Sequence, residues 1–265
     1  MDLDSRQIER YSRNIVLSDL GVEGQRKLRR ASVLVVGAGG LGSPVLLYLA
    51  AAGVGKLGIV DPDEVELSNL QRQVIHDSNS LGKSKAESAA ARITALNPDV
   101  VAEPSRGRID ASNALDLINP YDFVVDCTDN FAAKYLINDA CVIAGKPFSH
   151  AGVLGFSGQV FYWEPPAGTG PCLRCLIPEQ PPSSETPTCA SSGVLGAAAG
   201  VIGSIQAAET IKSLAGIGGR LSGRVLSCDT LGMRFSEAHC EADSSCPVCS
   251  AKSSIKTLVA TNYEL

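Results

Sequence analysis

The sequence predicts an α/β chain whose first half alternates short strands with helices. Three observations predict it. A short β-branched run at residues 31–36 leads into the turn Gly37-Ala38-Gly39-Gly40-Leu41-Gly42. An apolar stretch at 45–52, closed by Gly53, has the length of a buried helix. A second short apolar run at 57–60 ends on Asp61.

Composition narrows the class. At 265 residues, the chain can bury one large α/β core or two small ones. Lys plus Arg number 23 and Asp plus Glu 28, a net charge of -5, which argues against a nucleic-acid binder driven by bulk charge. Apolar residues at 45% exclude general disorder. The N-terminal residues are charged and carry no apolar signal segment. The longest apolar run, from Gly193, is broken by Gln206 and Glu209, too early to span a bilayer. The expectation is a cytoplasmic protein with no membrane and no nucleic-acid partner. In that compartment nine cysteines suggest metal or thiol chemistry rather than a disulfide framework.

Residues 1–30 are polar with Ile8, Tyr11, Ile15 and Leu20 at helical spacing, a helical arm. The pattern Gly37-x-Gly39-x-x-Gly42 then permits a tight turn and lets backbone approach a phosphate at a helix N-terminus. Asp61, 19 residues past Gly42, stands where a carboxylate can accept from ribose hydroxyls. Residues 61–73 form a polar loop with a single arginine, Arg72. A helix is expected from Ser84 to Leu96, stopping before Asn97-Pro98, with Ser84 and Glu87 as a capping box. Lys85 falls in its first turn, where a cation opposes the helix dipole. It is either a solvated surface lysine or a phosphate ligand. The strand 122–126 runs into Cys127-Thr128-Asp129-Asn130 and another apolar helix. Asp126 is a strand-end cap or a functional group. Asp129, beside a triphosphate, would be a magnesium ligand.

The second half carries two C-x-x-C turns, Cys172-Leu173-Arg174-Cys175 and Cys246-Pro247-Val248-Cys249, separated by 70 residues (176–245). Two such turns suit one tetrahedral zinc ion that clips the C-terminal region to the body. A thioredoxin-type redox pair would need a βαβ setting, which neither turn has. Between them a Pro- and Ser-rich loop ends at Cys189, a nucleophile on a loop or a small residue entering a helix. Cys127, Cys141, Cys228 and Cys240 read as packing thiols, and His76, His150 and His239 have no ligand pattern. A helix is expected from about Gly193 to Leu214. Its Gly196, Gly200, Gly203 and Ser204 allow close approach of another helix, in the core or across a dimer contact.

Taken together, several local patterns resemble the MoeB/ThiF family, bacterial relatives of ubiquitin-activating enzymes. They are Arg10-Tyr11-Ser12-Arg13-Asn14-Ile15-Val16-Leu17, the glycine turn with its doubled Gly39-Gly40, Asp61-x-Asp63, Ser68-Asn69-Leu70-Gln71-Arg72-Gln73, Lys83-Ser84-Lys85, Cys127-Thr128-Asp129-Asn130 and both cysteine pairs. The resemblance runs from about residue 5 to 249 and implies a single domain over 1–265. Its parts are an arm (1–30), a nucleotide-binding half (31–150), a carrier-binding half with a zinc clip (151–249) and a tail (250–265) with no assigned function. It implies a Rossmann-like, mostly parallel eight-stranded sheet. It also implies an ATP-dependent adenylyltransferase acting on the C-terminal glycine of a small ubiquitin-like sulfur carrier ending in Gly-Gly, of MoaD-like or ThiS-like type. The sulfur would come from a separate sulfurtransferase or cysteine desulfurase.

By the same resemblance Arg72 and Lys85 meet the phosphates, Asp129 binds Mg²⁺ and Asp61 the ribose. Gly37, Gly39, Gly40, Gly42, Asp63, Ser68, Asn69, Leu70, Gln71 and Asn130 surround the nucleotide. Arg13 would reach the neighbouring subunit's phosphates, which implies a homodimer. Cys172, Cys175, Cys246 and Cys249 would hold Zn²⁺. Cys189 would take part in thioester or acyl-disulfide chemistry in ThiF-like members and be dispensable in MoeB-like ones. A nicotinamide oxidoreductase would account for the glycines and Asp61 but leave Arg72, Lys85, Asp129 and the cysteine pairs unexplained. An inactive scaffold half would be expected to lack some of these charged groups. Adenylation of a modified tRNA base is disfavoured by the acidic balance.

Overall fold

The computed structural model describes residues 3–166, 170–182 and 189–263. The arm is three short helices, α1 (Ser5–Arg10), α2 (Ser12–Ile15) and α3 (Gly21–Arg30). Asp4 caps α1 by accepting from Gln7 N–H at 2.8 Å. Tyr11 and Leu20 are buried while Ile8 stays exposed.

The nucleotide-type unit follows as β1 (Ser32–Val36), α4 (Gly42–Ala52), β2 (Lys56–Val60), α5 (Lys85–Leu96), β3 (Val101–Ser105), α6 (Ala114–Ile118), β4 (Phe123–Asp126) and α7 (Phe131–Ala144). Strand β5 (Phe148–Leu154) and β6 (Ser157–Trp163) lead into α8 (Leu173–Leu176), α9 (Cys189–Ser192) and α10 (Gly196–Ala215). The chain then closes with β7 (Arg224–Asp229) and β8 (Arg234–His239). One eight-stranded sheet runs in the order β3-β2-β1-β4-β5-β6-β7-β8. Strands β1 to β5 pair in parallel and β5 to β8 antiparallel. The sheet is Rossmann-like and mostly parallel through its first half.

Burial explains the order. Strands β1, β2 and β4 are covered on both faces, so they read as continuous apolar runs. Val33, Val35, Leu57 and Ile59 face the α4, α5 and α10 side. Leu34, Val36, Val60 and Val124 face the α6 and α7 side, where Trp163 and the cysteine turns also pack. At the sheet edges β3 carries Pro104, and β8 is exposed throughout. Both features suit strands without an outer partner. No helix among the described residues is long and apolar enough to cross a membrane.

Two expectations need correction. The second-half helix starts at Gly196, not Gly193. Gly193 has φ +73°, outside helical geometry, and its carbonyl accepts from Gly155 N–H at 2.9 Å. The capping box before α5 is half-made. Ser84 Oγ accepts from Glu87 N–H at 3.4 Å, but the Glu87 carboxylate turns to Arg106 at 2.5 and 2.8 Å.

The small residues of α10 do different jobs. A Cβ on Gly203 would lie 2.5 Å from Leu41 O and 2.6 Å from Pro44 Cγ, so this glycine lets α10 press on α4. A Cβ on Gly200 would meet nothing within 4 Å. We expect Gly203→Ala to cost about 1–3 kcal/mol through overpacking. Gly200→Ala should instead be neutral or stabilising by up to about 1 kcal/mol, because alanine restricts the unfolded chain. Chemical denaturation of the pair checks this, and equal effects would contradict it.

Candidate active site

Strand order reverses between β1 and β4, and a cleft of about 1200 Å³ opens at their C-terminal ends. Open α/β sheets take ligands at that topological switch point. The glycine turn forms one wall. Gly37 has φ +98°, and a Cβ there would sit 2.7 Å from Cys127 O. A Cβ on Gly42 would be 2.0 Å from Gly37 O. Those two glycines are dictated by the chain's own packing. Gly39 is different: a Cβ there would find only the Gln73 side chain, no nearer than 3.6 Å. Its open side belongs to the cleft, as it would for a backbone that must admit a ligand. Helix α4 begins without a side-chain cap, but Ser43 N–H already donates to Gly39 O at 2.9 Å and Pro44 carries no N–H.

Ala38, inside the turn, is held from both sides. Its N–H donates to Asp61 Oδ2 at 2.7 Å. Its carbonyl is 3.0 Å from His76 Nε2, and His76 Nδ1 is 2.9 Å from Ser88 Oγ. A carbonyl can only accept, so Nε2 carries the proton and Nδ1 accepts from the serine hydroxyl. Burial lowers the His76 pKa and keeps the ring neutral, as that tautomer requires. Asp61 Oδ1 also accepts from Asp63 N–H at 2.9 Å. Burial raises the Asp61 pKa, and the two N–H donors and Lys85 counter the rise. Each carboxylate oxygen keeps a lone pair for a further donor.

The described structure gathers Gly37, Gly39, Gly40, Asp61, Asp63, Arg72, Lys85, Asp129 and Asn130 around this cleft. Lys85 is 7% exposed, and its Nζ lies 2.9 Å from Asp63 Oδ2, so it is not a solvated surface lysine. Arg72 is half-buried and donates to Ser68 O at 3.1 Å. Asp129 is exposed at the cleft, and Asn130 Oδ1 caps α7 by accepting from Ala133 N–H. Gly42, Ser68, Asn69, Leu70 and Gln71 do not line the cleft. They build the loop behind it: Asn69 Oδ1 accepts from Glu66 N–H at 3.1 Å, and Gln71 O stands where a Cβ on Gly196 would clash. Arg13 is exposed on α2, away from the cleft of its own chain. The Cys189 side chain and residues 183–188 of its loop lie outside the described residues.

Sequence reasoning missed four groups here. His76 carried no local partner pattern. Gln73, 4% exposed, borders the cleft, and its Oε1 has no hydrogen-bond partner among the described residues. The other two, Lys134 and His150, flank Asp126 and line the cleft. Asp126 is fully buried. Its Oδ1 accepts from Thr128 N–H and Oγ1 at 2.9 and 2.6 Å, so it does cap the strand end. Its Oδ2 lies 3.3 Å from Lys134 Nζ and 2.7 Å from His150 Nδ1. Burial raises the Asp126 pKa, yet the positive charge of Lys134 and the His150 contact outweigh it. The carboxyl is held well below its usual range. Burial and Lys134 lower His150.

The cysteine turns meet at the far side of the second core. Sγ atoms of Cys172, Cys175, Cys246 and Cys249 all lie within 4.8 Å of one another. Four thiolates about 2.3 Å from one zinc would be about 3.8 Å apart. Cys172–Cys246 at 3.6 Å and Cys172–Cys175 at 4.0 Å match that edge, so the donor set could hold a metal ion. Burial pushes the Cys127 and Cys141 thiols up, as for packing residues. Cys240 departs from that expectation, being half-exposed on the cleft wall.

Asp126 and His150 give the fold an acid-sensitive centre. The unfolded histidine binds a proton below about pH 6.5 while the buried ring resists it. The Asp126 contribution is complete above its ordinary pKa of 3.8 and drains away as pH falls below that value. Asp126→Asn should cost about 3–5 kcal/mol at neutral pH by leaving Lys134 buried without its carboxylate. It should also flatten the loss of stability below pH 4. Thermal melts of both proteins across pH check this, and equal stability at pH 7 would contradict it.

The family model described as the ThiF family matches residues 11–248. The SAMP-activating enzyme E1 of Haloferax volcanii is 47% identical over 249 residues, covering 94% of this chain and 91% of that one. The sulfur carrier protein adenylyltransferase of Thermus thermophilus is 46% identical over 261 residues, covering 97% and 96%. The probable adenylyltransferase/sulfurtransferase MoeZ of Mycobacterium tuberculosis is 49% identical over 92% of this chain, which spans 63% of that protein. Among solved structures, E. coli MccB shares the fold with TM-score 0.82 at 24% identity, over 92% of this chain and 73% of that one. On these matches and on the glycine turn, cleft and cysteine cluster they accompany, the chain belongs to the ThiF family of adenylyltransferases.

Proposed function

We propose that the protein adenylates the C-terminal glycine carboxylate of a small ubiquitin-like sulfur carrier, of MoaD-like or ThiS-like type, using ATP. The observation that carries this reading is the composition of one continuous cleft. Gly39, Lys85, Arg72 and Asp129 border one end, and Val153, Leu154, Phe161, Leu176 and Val225 border an apolar trough at the other. At about 1200 Å³ it exceeds the usual small-ligand pocket of about 300–1000 Å³, leaving room for a peptide tail beside a nucleotide.

The carrier carboxylate oxygen bonds to the α-phosphorus of ATP while the bond to the bridging oxygen breaks and pyrophosphate leaves. No proton must be removed, because the nucleophile is already a carboxylate. The site therefore has to position reactants and neutralise charge. Arg72 and Lys85 supply cations to the phosphates, Lys85 exchanging its Asp63 partner for them. The backbone of Gly39 and Gly40 approaches the same anion, and Asp61 accepts from the ribose. Asp129 would hold Mg²⁺, which neutralises the leaving pyrophosphate. Gly37, Gly40 and Gly42 shape the turn, and Ser68, Asn69, Leu70, Gln71 and Asn130 hold the surrounding loops.

We read residues 31–150 as the nucleotide-binding half and 151–249 as the carrier-binding half of one cytoplasmic domain spanning 1–265. Zn²⁺ is our choice for the cysteine cluster, as a structural clip. Two copies would pair through an apolar face of exposed Tyr48, Val74 and Phe235 and half-buried Leu47, Val201 and Ile205, presenting Arg13 to the neighbouring cleft. Cys189 would act only after adenylation, and the sulfur donor would be a separate sulfurtransferase or cysteine desulfurase.

ATP–pyrophosphate exchange with MoaD-like and ThiS-like carriers, each tested alone, checks the reaction and assigns the carrier. Asp129→Ala should abolish exchange without lowering the melting temperature, whereas near-normal exchange would remove its metal role. Arg72→Ala should lower kcat/KM by about 10²–10³-fold, the usual loss for one group that stabilises transition-state charge. Purified protein should carry one zinc per chain by elemental analysis, and chelation should lower the melting temperature before it affects nucleotide binding. A metal-free protein with an unchanged melt in chelator would overturn the clip.

A further inference from the structure

The segment after the second cysteine turn does not leave the body of the protein. Ser254 and Ile255 N–H both donate to Pro247 O at 2.9 Å. Ile255, Leu258 and Tyr263 then pack against the core that contains Cys172, Cys246 and Cys249. A 3₁₀ turn at Ala260–Asn262 brings Tyr263 round, and its hydroxyl donates to Asp139 Oδ2 at 2.9 Å. Asp139 is fully buried and grips Arg174 through contacts of 2.8, 2.9 and 3.0 Å. Arg174 lies in α8, between the two cysteines of the first turn. The neighbouring Leu173 N–H donates to Asn138 Oδ1 at 2.8 Å. One buried network thus ties Tyr263, α7 and the first cysteine turn together. Ala260 and Tyr263 also line the cleft, as do Leu173, Leu176 and Ile177 of the α8 segment.

We infer that Ala260 and Tyr263, at the end of this segment, form part of one wall of the channel for the carrier's C-terminal segment, with Tyr263 as the residue that sets carrier affinity. The inference rests on the adenylation reading above. A Gly-Gly tail has no side chains to grip, so its channel must hold backbone between close, rigid walls. The four-residue α8 is short for a peptide wall, and Tyr263, tied to it through Asp139, borders the same cleft. The ring carries few rotatable bonds, so holding it costs little entropy. The phenol stays protonated beside Asp139, because burial and that carboxylate raise its pKa. The aromatic wall is therefore locked to the element that the cysteine cluster holds.

The test compares wild type, Tyr263→Ala and Tyr263→Phe. Exchange kinetics give the KM for carrier and for ATP, and titration without ATP gives the Kd for carrier. MoaD-like and ThiS-like carriers ending in Gly-Gly are the probes. We expect Tyr263→Ala to raise the carrier KM and Kd at least tenfold, with kcat, ATP KM and zinc content unchanged. Tyr263→Phe, which keeps the ring and loses only the bond to Asp139, should raise the carrier KM and Kd by less than Tyr263→Ala does. Exchange in the wild type with an unchanged carrier KM in Tyr263→Ala would overturn the wall while leaving adenylation standing. So would an equal rise in ATP KM, which marks a general structural role. Wild type that neither binds nor exchanges with either carrier would overturn both readings.

Discussion

The turn after β1 has no room for a Cβ at Gly37 or Gly42, and most of the cleft follows from that crowding. Gly37 presses on the carbonyl of Cys127 at the end of β4, and Gly42 presses back on Gly37. The contact brings the ends of β1 and β4 together at the point where strand order reverses. Asp61 and His76 then hold the Ala38 peptide from opposite sides, so the turn keeps its shape without a ligand. Preorganisation of that kind lets backbone N–H groups meet an anion without reorganising at the moment of reaction.

Charge is arranged in two layers around this turn. The upper layer is accessible: Asp63 with Lys85, Arg72, and the exposed Asp129. Its pairs can exchange partners when a polyanion arrives. The lower layer centres on the buried Asp126, held by Lys134 and His150 at the cleft lining, with Gln206 of α10 donating to the Asp126 carbonyl at 3.0 Å. Buried ions tolerate such a place only when fully partnered. The lower layer therefore joins β4, β5, α7 and α10 as a floor under the glycine turn, while the upper layer borders the open cleft.

The second half solves a different problem. Its strands β6 to β8 are antiparallel and increasingly exposed, so little apolar burial holds the far edge in place. The four-cysteine cluster and the Asp139–Arg174 pair supply local links instead. They fix α8 between the body and the segment that follows Cys249. The apolar part of the cleft is thereby fixed relative to the glycine turn.

Much of this was legible in the sequence alone. The strand, glycine turn and helix, Asp61 at a strand end, and the paired cysteines are local patterns whose spacing follows from backbone geometry. The family followed from their combination. Tertiary structure decided what those patterns connect to. Lys85 finds Asp63 22 residues away, and His76 finds Ala38 38 residues away. Tyr263 finds Asp139 124 residues away. No periodicity reports contacts of that range, because they depend on how helices and strands stack, not on the residues beside them. The same reason explains Gly200 and Gly203. They look alike in sequence, yet one faces open space and the other faces α4. Residue type set what each group could do, and packing alone chose its partner.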